Sequence, residues 1–266
     1  ISTLNTDHAK HMKMCLEAGK HVLCEKPFAV NTAQAKEVLQ LAKKKNLLVA
    51  EAIWTRYMPM RKVLDDVIAS GIIGNISTLT ANLCYPIMDK ERLLKPETGG
   101  GALLDVGVYT INFALMTFGK DIKKIETSAI LTPQKVDLSE SITFAYKDSK
   151  MAVLHSNMNT RSDRRGMIFG DKGYIEVLNI NNCEGVNVYL WNDKDESYKL
   201  AKAYKTPKQI TGFEYQVESC MKAIKEGSIE CSEMPHSEII RVMEIMDQLR
   251  QSWGVKLRGD AAASKK

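Results

Sequence analysis

The sequence predicts an α/β unit, part of a doubly wound parallel sheet, joined to a larger α+β domain built on a mostly antiparallel open sheet. Three observations carry that expectation. Residues 1–50 alternate short apolar runs with helical patterns, as parallel strands joined by right-handed crossover helices do. From about Ile122 to Leu200 the chain instead alternates short β-like runs with turns, the pattern of antiparallel pairing. Two segments of helical periodicity, about 211–226 and 236–253, close the chain.

Ile1–Leu4 reads as the end of a buried strand. Asn5-Thr6-Asp7 then offers N-caps for a helix over 8–18 that stops at Gly19. His21–Cys24 is a second short strand, and Pro27 breaks the pattern after it. Asn31-Thr32 caps a helix that buries Ala35, Val38, Leu39 and Ala42. That helix ends in Lys43–Lys45, cations suited to the negative end of the helix dipole. Leu47–Ala50 is a third strand. Strand, helix, strand, helix, strand at this spacing is half of a dinucleotide-binding domain of Rossmann type. The other half, with its first strand and glycine-rich turn, is expected to be missing. No GxGxxG occurs, and Gly99-Gly100-Gly101 follows no apolar strand. The chain opens on Ile1 rather than Met, so a removed or uncaptured upstream segment is expected.

After Glu51 the character changes. The spacing predicts a helix over 60–70 ending at Gly71, a strand over Ile76–Tyr85, and a helix over 102–118 closed by Gly119. Strands follow at Ile125–Leu131, Ser141–Tyr146, Ala152–Met158, Gly166–Phe169, Tyr174–Val177 and Val186–Leu190, with a hairpin turn at Asp171-Lys172-Gly173. The expected division is 1–56 for the dinucleotide-binding part, 57–260 for a substrate and dimerisation domain, and a disordered tail over 261–266. An open sheet has one face covered by helices and one needing cover, so a homodimer through the open face is expected.

Composition narrows the class. The 266 residues are 44% hydrophobic and 26% charged, ordinary values for a chain with an enclosed core. No run approaches the roughly 18 apolar residues of a membrane span, and the N-terminus lacks a signal-peptide pattern. No membrane association and a cytoplasmic location are the expectations. Six cysteines without a CxxC pair argue for reduced thiols and against a metal site. The net charge of +5 is modest, and the basic clusters Lys43–Lys45 and Arg161–Arg165 are short and not interleaved with aromatics. Nucleic acid is therefore not the expected partner.

Two motifs carry chemistry. Glu25-Lys26-Pro27 lies at the C-terminal end of a parallel strand, the edge at which such sheets bind ligands; taken alone, it also reads as a surface turn. In Gly99-Gly100-Gly101-Ala102-Leu103-Leu104-Asp105-Val106-Gly107-Val108-Tyr109 the aspartate and tyrosine are four apart, so a helix stacks them on one face. Leu103, Leu104, Val106, Val108 and Ile111 surround them, so the helix is expected to be buried. A satisfied core Asp–Tyr pair is the plain alternative. Together with Lys26 the set has a chemical logic. Tyrosine ionises near pH 10, too high for a base at neutral pH, and a neighbouring ammonium favours the phenolate.

With these motifs on the page, the chain resembles the glucose–fructose oxidoreductase/inositol dehydrogenase (Gfo/Idh/MocA) family. Within it the similarity is to the branch of dihydrodiol and D-xylose dehydrogenases. The matching motifs are Glu25-Lys26-Pro27, Glu51-Ala52-Ile53-Trp54-Thr55-Arg56, Gly99–Tyr109, Gly170–Glu176 and Pro235-His236-Ser237-Glu238. They span essentially the whole chain. Much of the family has histidine where Tyr109 stands; the tyrosine is what points to that branch. The resemblance implies an NADP-dependent oxidoreductase, NAD not excluded, acting on CH-OH or CH-CH groups of a small sugar or diol. It implies Tyr109 as general acid/base, Asp105 as its partner, and Lys26 in contact with cofactor ribose and substrate. Asn5, His8, Glu25, Trp54 and Arg56 are implied to line the cofactor. The alternative is a shortened, non-catalytic relative that dimerises without binding cofactor.

Overall fold

The computed structural model describes residues 1–260. The tail expected to be disordered, 261–266, lies outside the described residues. The first unit runs α1 (His8–Glu17), β1 (Val22–Glu25), α2 (Thr32–Lys45) and β2 (Val49–Ala52). β1 and β2 pair in parallel, Val22 opposite Val49 and Glu25 opposite Ala52. Ile1–Leu4 does not form the strand expected of it. Only Ile1 engages the edge of β1: its amino group donates to Leu23 O (2.7 Å) and its carbonyl accepts from Glu25 N (2.9 Å). Asn31 caps α2 by accepting from Gln34 N (3.0 Å), and Asn46 in the left-handed region ends it. The buried stripe is the expected Ala35, Val38, Leu39 and Ala42.

The second unit contains α3 (Pro59–Ala69), β3 (Ile76–Cys84), α4 (Val108–Phe118), β4 (Ile122–Leu131), β5 (Asp137–Tyr146) and β6 (Met151–Asn157). It continues with β7 (Gly166–Gly170), β8 (Gly173–Leu178), β9 (Gly185–Asn192), β10 (Ser197–Lys205), α5 (Glu214–Lys225) and α6 (His236–Trp253). β3 to β10 form one open sheet in the order β10-β9-β8-β7-β3-β6-β5-β4. Every pairing is antiparallel except β3 with β6.

Strand alternation sends Ile142, Phe144, Leu154, Ile168, Ile175 and Val188 into the core, where α3, α4 and α6 meet the sheet. The other face keeps Ile130, Met151, Val153, Trp191, Tyr198 and Leu200 exposed. Among the described residues, Pro96–Phe118 is the one helical stretch long and apolar enough to cross a membrane, and 78% of its apolar window is buried within the protein. It is the core helix of this unit.

Candidate active site

Lys26 projects from the C-terminal end of β1, and two buried side chains behind it hold the turn. Glu51 on β2 accepts from Phe28 N through Oε1 (2.9 Å). His8 on α1 lies between two carbonyls, Nδ1 at 2.8 Å from Pro27 O and Nε2 at 3.2 Å from Thr3 O. These contacts fix the backbone that follows the lysine, and Glu25 N donating to Ile1 O (2.9 Å) ties the residue before it. Its ammonium therefore reaches out of a rigid turn.

The partner element is the helix that begins at Ala102. Its first stretch, Leu103–Gly107, is a turn of π-helix that runs into α4. Asp137 at the start of β5 caps it by accepting from Leu103 N (2.5 Å). Gly101, at φ +115°, has no room for a Cβ because Asp137 Oδ1 occupies that space. Gly107 faces Glu140 Oε1 in the same way. The glycines thus let two buried carboxylates press against the helix.

The structure brings Lys26, Asp105 and Tyr109 together. Lys26 Nζ donates to Asp105 O (2.5 Å) and to Asp105 Oδ1 (3.3 Å), and it stands 5.1 Å from the centroid of the Tyr109 ring. Arg92 adds a second cation, Nη2 lying 3.5 Å from Asp105 Oδ1. Burial works against the Lys26 charge, but Tyr109, Asp105 and Glu25 together outweigh it and its pKa is raised. Burial likewise opposes ionisation of Asp105, yet Lys26 and Arg92 hold its carboxyl below the usual range.

Tyr109 departs from the expectation that the ammonium brings it toward neutral pH. Burial dominates and raises the phenol above its ordinary value, with Lys26 and the Trp54 indole acting against it. At neutral pH the side chain is a protonated phenol beside an ammonium.

The remaining residues named from sequence fall into two groups. Glu25 lies at the end of β1 beside Lys26, and Trp54 lies beside Tyr109, its ring stacked on Phe213 at 4.3 Å. The other three are engaged within the protein. Asn5 donates to Gly99 O (2.8 Å), tying the first unit to the glycine turn. His8 bonds as described, and burial lowers its pKa. Arg56 is buried, its Nε donating to Asn112 Oδ1 (2.6 Å) and its Nη2 to Glu238 Oε2 (3.1 Å). Sequence reasoning gave no role to Glu51, Arg92, Asp137 or Glu140. A polar residue on the inward phase of β5, shared with Ile142 and Phe144, was the available signal for Glu140; Asp137 falls on the opposite phase.

The residues present suit the nicotinamide end of a dinucleotide: a strand-end lysine, a phenol and an indole at one edge of a parallel sheet. No GxGxxG turn lies within the sequence, so these residues supply no cradle for the pyrophosphate. Among the described residues, no cluster of three or more His, Cys, Asp or Glu is placed to hold a metal ion.

Two family models match the chain. One, an oxidoreductase family with an NAD-binding Rossmann fold, covers residues 1–52. The other, the GFO/IDH/MocA C-terminal domain, covers residues 62–176. Trans-1,2-dihydrobenzene-1,2-diol dehydrogenase of Xenopus tropicalis is 29% identical over 259 residues, covering 96% of this chain and 78% of that one. D-xylose 1-dehydrogenase (NADP(+)) of Hypocrea jecorina is 25% identical over 288 residues, covering 96% and 72%. A solved 3-ketoreductase from Actinomadura kijaniata, in complex with NADP and TDP-benzene, superposes with a TM-score of 0.82 at 22% identity. It covers 94% of this chain and 76% of its own. At that identity the likeness establishes the fold.

Proposed function

The chain belongs to the GFO/IDH/MocA oxidoreductase family, and we propose that it is an NADP-dependent dehydrogenase of a small aldose or trans-dihydrodiol. The observation that carries the reading is the meeting of Lys26, Asp105 and Tyr109 at the C-terminal end of β1. When bound, the nicotinamide supplies or accepts the hydride. The chain's own residues handle the proton. In the reducing direction the Tyr109 phenol, kept protonated by burial, gives its proton to the carbonyl oxygen of the substrate. Lys26 stabilises the phenolate that results, which lowers the cost of the transfer. Asp105 orients the ammonium through its side chain and backbone oxygens. In the oxidising direction the same groups take the hydroxyl proton. Glu25 and Trp54 frame the nicotinamide; Asn5, His8 and Arg56 act on the site by holding its walls.

The choice of NADP and of substrate class draws on the xylose and dihydrodiol dehydrogenases to which the chain is similar. Fluorescence titration with NADPH and NADH, followed by turnover on D-xylose and on a trans-dihydrodiol, tests both. Tyr109→Phe is expected to lose about 10²- to 10⁴-fold in turnover with NADPH affinity unchanged. A phenylalanine variant within about tenfold of wild-type turnover refutes the role of Tyr109, and failure of both nucleotides to bind a protein that also carries the glycine-rich turn refutes the dehydrogenase assignment. We also propose a homodimer through the open sheet face, supported by its exposed Ile130, Met151, Trp191 and Leu200. Light scattering that finds a monomer, or a dimer undisturbed by Trp191→Glu, counts against it.

A further inference from the structure

Two of the six cysteines meet outside the proposed catalytic group. Cys220 lies on α5, Cys231 on the connection to α6, and their sulfurs are 3.8 Å apart. Both are reduced and largely withdrawn from solvent. We propose that Cys220 and Cys231 form a peroxide-responsive thiol pair that closes to an intramolecular disulfide.

Three further features support the pair. The first is asymmetry. Either sulfur can donate to the other at this distance; with Cys220 as donor, the contact lowers the Cys231 thiol and raises that of Cys220. In that arrangement Cys231 is the thiolate that attacks first. The second is a small pocket lined by Ser219, Ala223, Ser228, Ser232 and Glu233, in which Ser219 and Ser232 are the chain neighbours of the two cysteines. The third is the anchoring of the Cys231 segment. Ile229 O accepts from Val49 N (3.1 Å), and His236 Nε2 lies 3.0 Å from Val49 O. α5 is tied to that segment by Ser219 Oγ donating to Glu233 Oε2 (2.7 Å) and by Ser228 N donating to Ala223 O (2.9 Å). A covalent bond would fix it there.

The chemistry balances with a hydroperoxide as oxidant. The Cys231 thiolate attacks one peroxide oxygen, the O–O bond breaks, and with one proton a water leaves, giving a sulfenic acid. The Cys220 sulfur then attacks the Cys231 sulfur, the S–O bond breaks, and a second water leaves with the Cys220 proton. Two thiols are oxidised by two electrons, and hydrogen peroxide is reduced to two waters. The sulfurs must close from 3.8 Å to about 2.05 Å, a movement that side-chain rotation with a small shift of the connecting segment supplies.

The test is hydrogen peroxide treatment of the folded protein, followed by thiol blocking and tryptic mapping. Trypsin cuts after Lys222 and Lys225, so the peptides Gln209–Lys222 and Glu226–Arg241 stay together only through a disulfide. The expected result is that linked species, 2 Da lighter than its blocked-free reduced sum, reversed by dithiothreitol. A rise of several degrees in melting temperature should accompany it, roughly as expected for a bond closing a short loop. Cys220→Ser should leave a sulfenic acid on Cys231 that dimedone traps, and Cys231→Ser should abolish both products. Peroxide-treated protein in which the two thiols still titrate separately, or in which Cys231→Ser is oxidised at Cys220 as fast as wild type, overturns the proposal.

Discussion

Glu51→Gln separates the charge of the buried carboxyl behind Lys26 from its shape. Glu51 is fully enclosed; Oε1 accepts from Phe28 N, while Oε2 has no partner. Burial, opposed by the Phe28 N–H, Arg56 and Lys26 and reinforced by Glu25, pushes its pKa up to about 7 from 4.5. The folded-state value is raised, so the folded protein holds a proton that the unfolded chain releases between those two values. Glu51 costs little below pH 4.5, and its cost grows until the pH passes about 7. That difference of 2.5 (7 − 4.5) corresponds to about 3 kcal/mol at 1.36 kcal/mol per unit. Glutamine stays neutral and keeps the acceptor for Phe28 N. Its amide hydrogens replace the unpartnered Oε2, at about 1 kcal/mol. The variant should therefore match wild type near pH 5 and be more stable by about 2 kcal/mol at pH 8. Urea unfolding at pH 5, 6, 7 and 8 measures this directly. A constant offset across that range, or a variant less stable at pH 8, would show that the carboxyl is not titrating as described.

Other substitutions probe the scaffold around the site. Gly101→Ala meets both a positive φ and Asp137 Oδ1, whereas Gly19→Ala meets a positive φ with open space around it. Gly101→Ala should cost about 2–5 kcal/mol and Gly19→Ala about 1 kcal/mol; equal losses in urea unfolding would refute the packing argument. Arg56→Ala strands Glu238 and Asn112 and should cost about 3–5 kcal/mol in the same assay. Glu140→Gln replaces a carboxyl whose pKa burial and Asp137 raise well above its usual value. By the same linkage the variant should gain on wild type steadily as the pH rises from 6 to 8, and a difference that does not change with pH would mean that the carboxyl is ionised in the folded protein.

Sequence reading succeeded where local chemistry and the global fold agree. Asn31 as a cap, the Ala35–Ala42 stripe and the lysine-rich end of α2 each act within one helix, and all appear in the structure. β10 escaped notice for the opposite reason. Its residues Ser197–Lys205 are almost all exposed at the sheet edge, with lysines at 199, 202 and 205, so no buried phase imposes alternation. Charged side chains on an edge strand also guard against pairing with another chain. Ile1–Leu4 looked like a strand by composition, but only Ile1 finds a partner. The π-turn at Leu103–Gly107 had no local signal, because the carboxylates pressing on it, Asp137 and Glu140, come from more than thirty residues away.

Tyr109 shows most clearly what spacing can and cannot supply. The four-residue separation from Asp105 and the strand-end position of Lys26 were readable, because helical and parallel-sheet geometry fix them. The direction of the phenol's pKa was not, since it depends on the balance between one ammonium and the whole apolar enclosure formed by distant segments. The balance falls on the side of burial. A phenol held protonated is ready to act as an acid but must be deprotonated before it can act as a base. If Tyr109 carries the proton, oxidation of an alcohol should therefore accelerate with rising pH, while reduction of the carbonyl should be level through neutrality and fall at alkaline pH. Lys26→Met removes the ammonium that opposes burial and should move both profiles to higher pH. Profiles unmoved by that substitution would place the titrating proton on some other group.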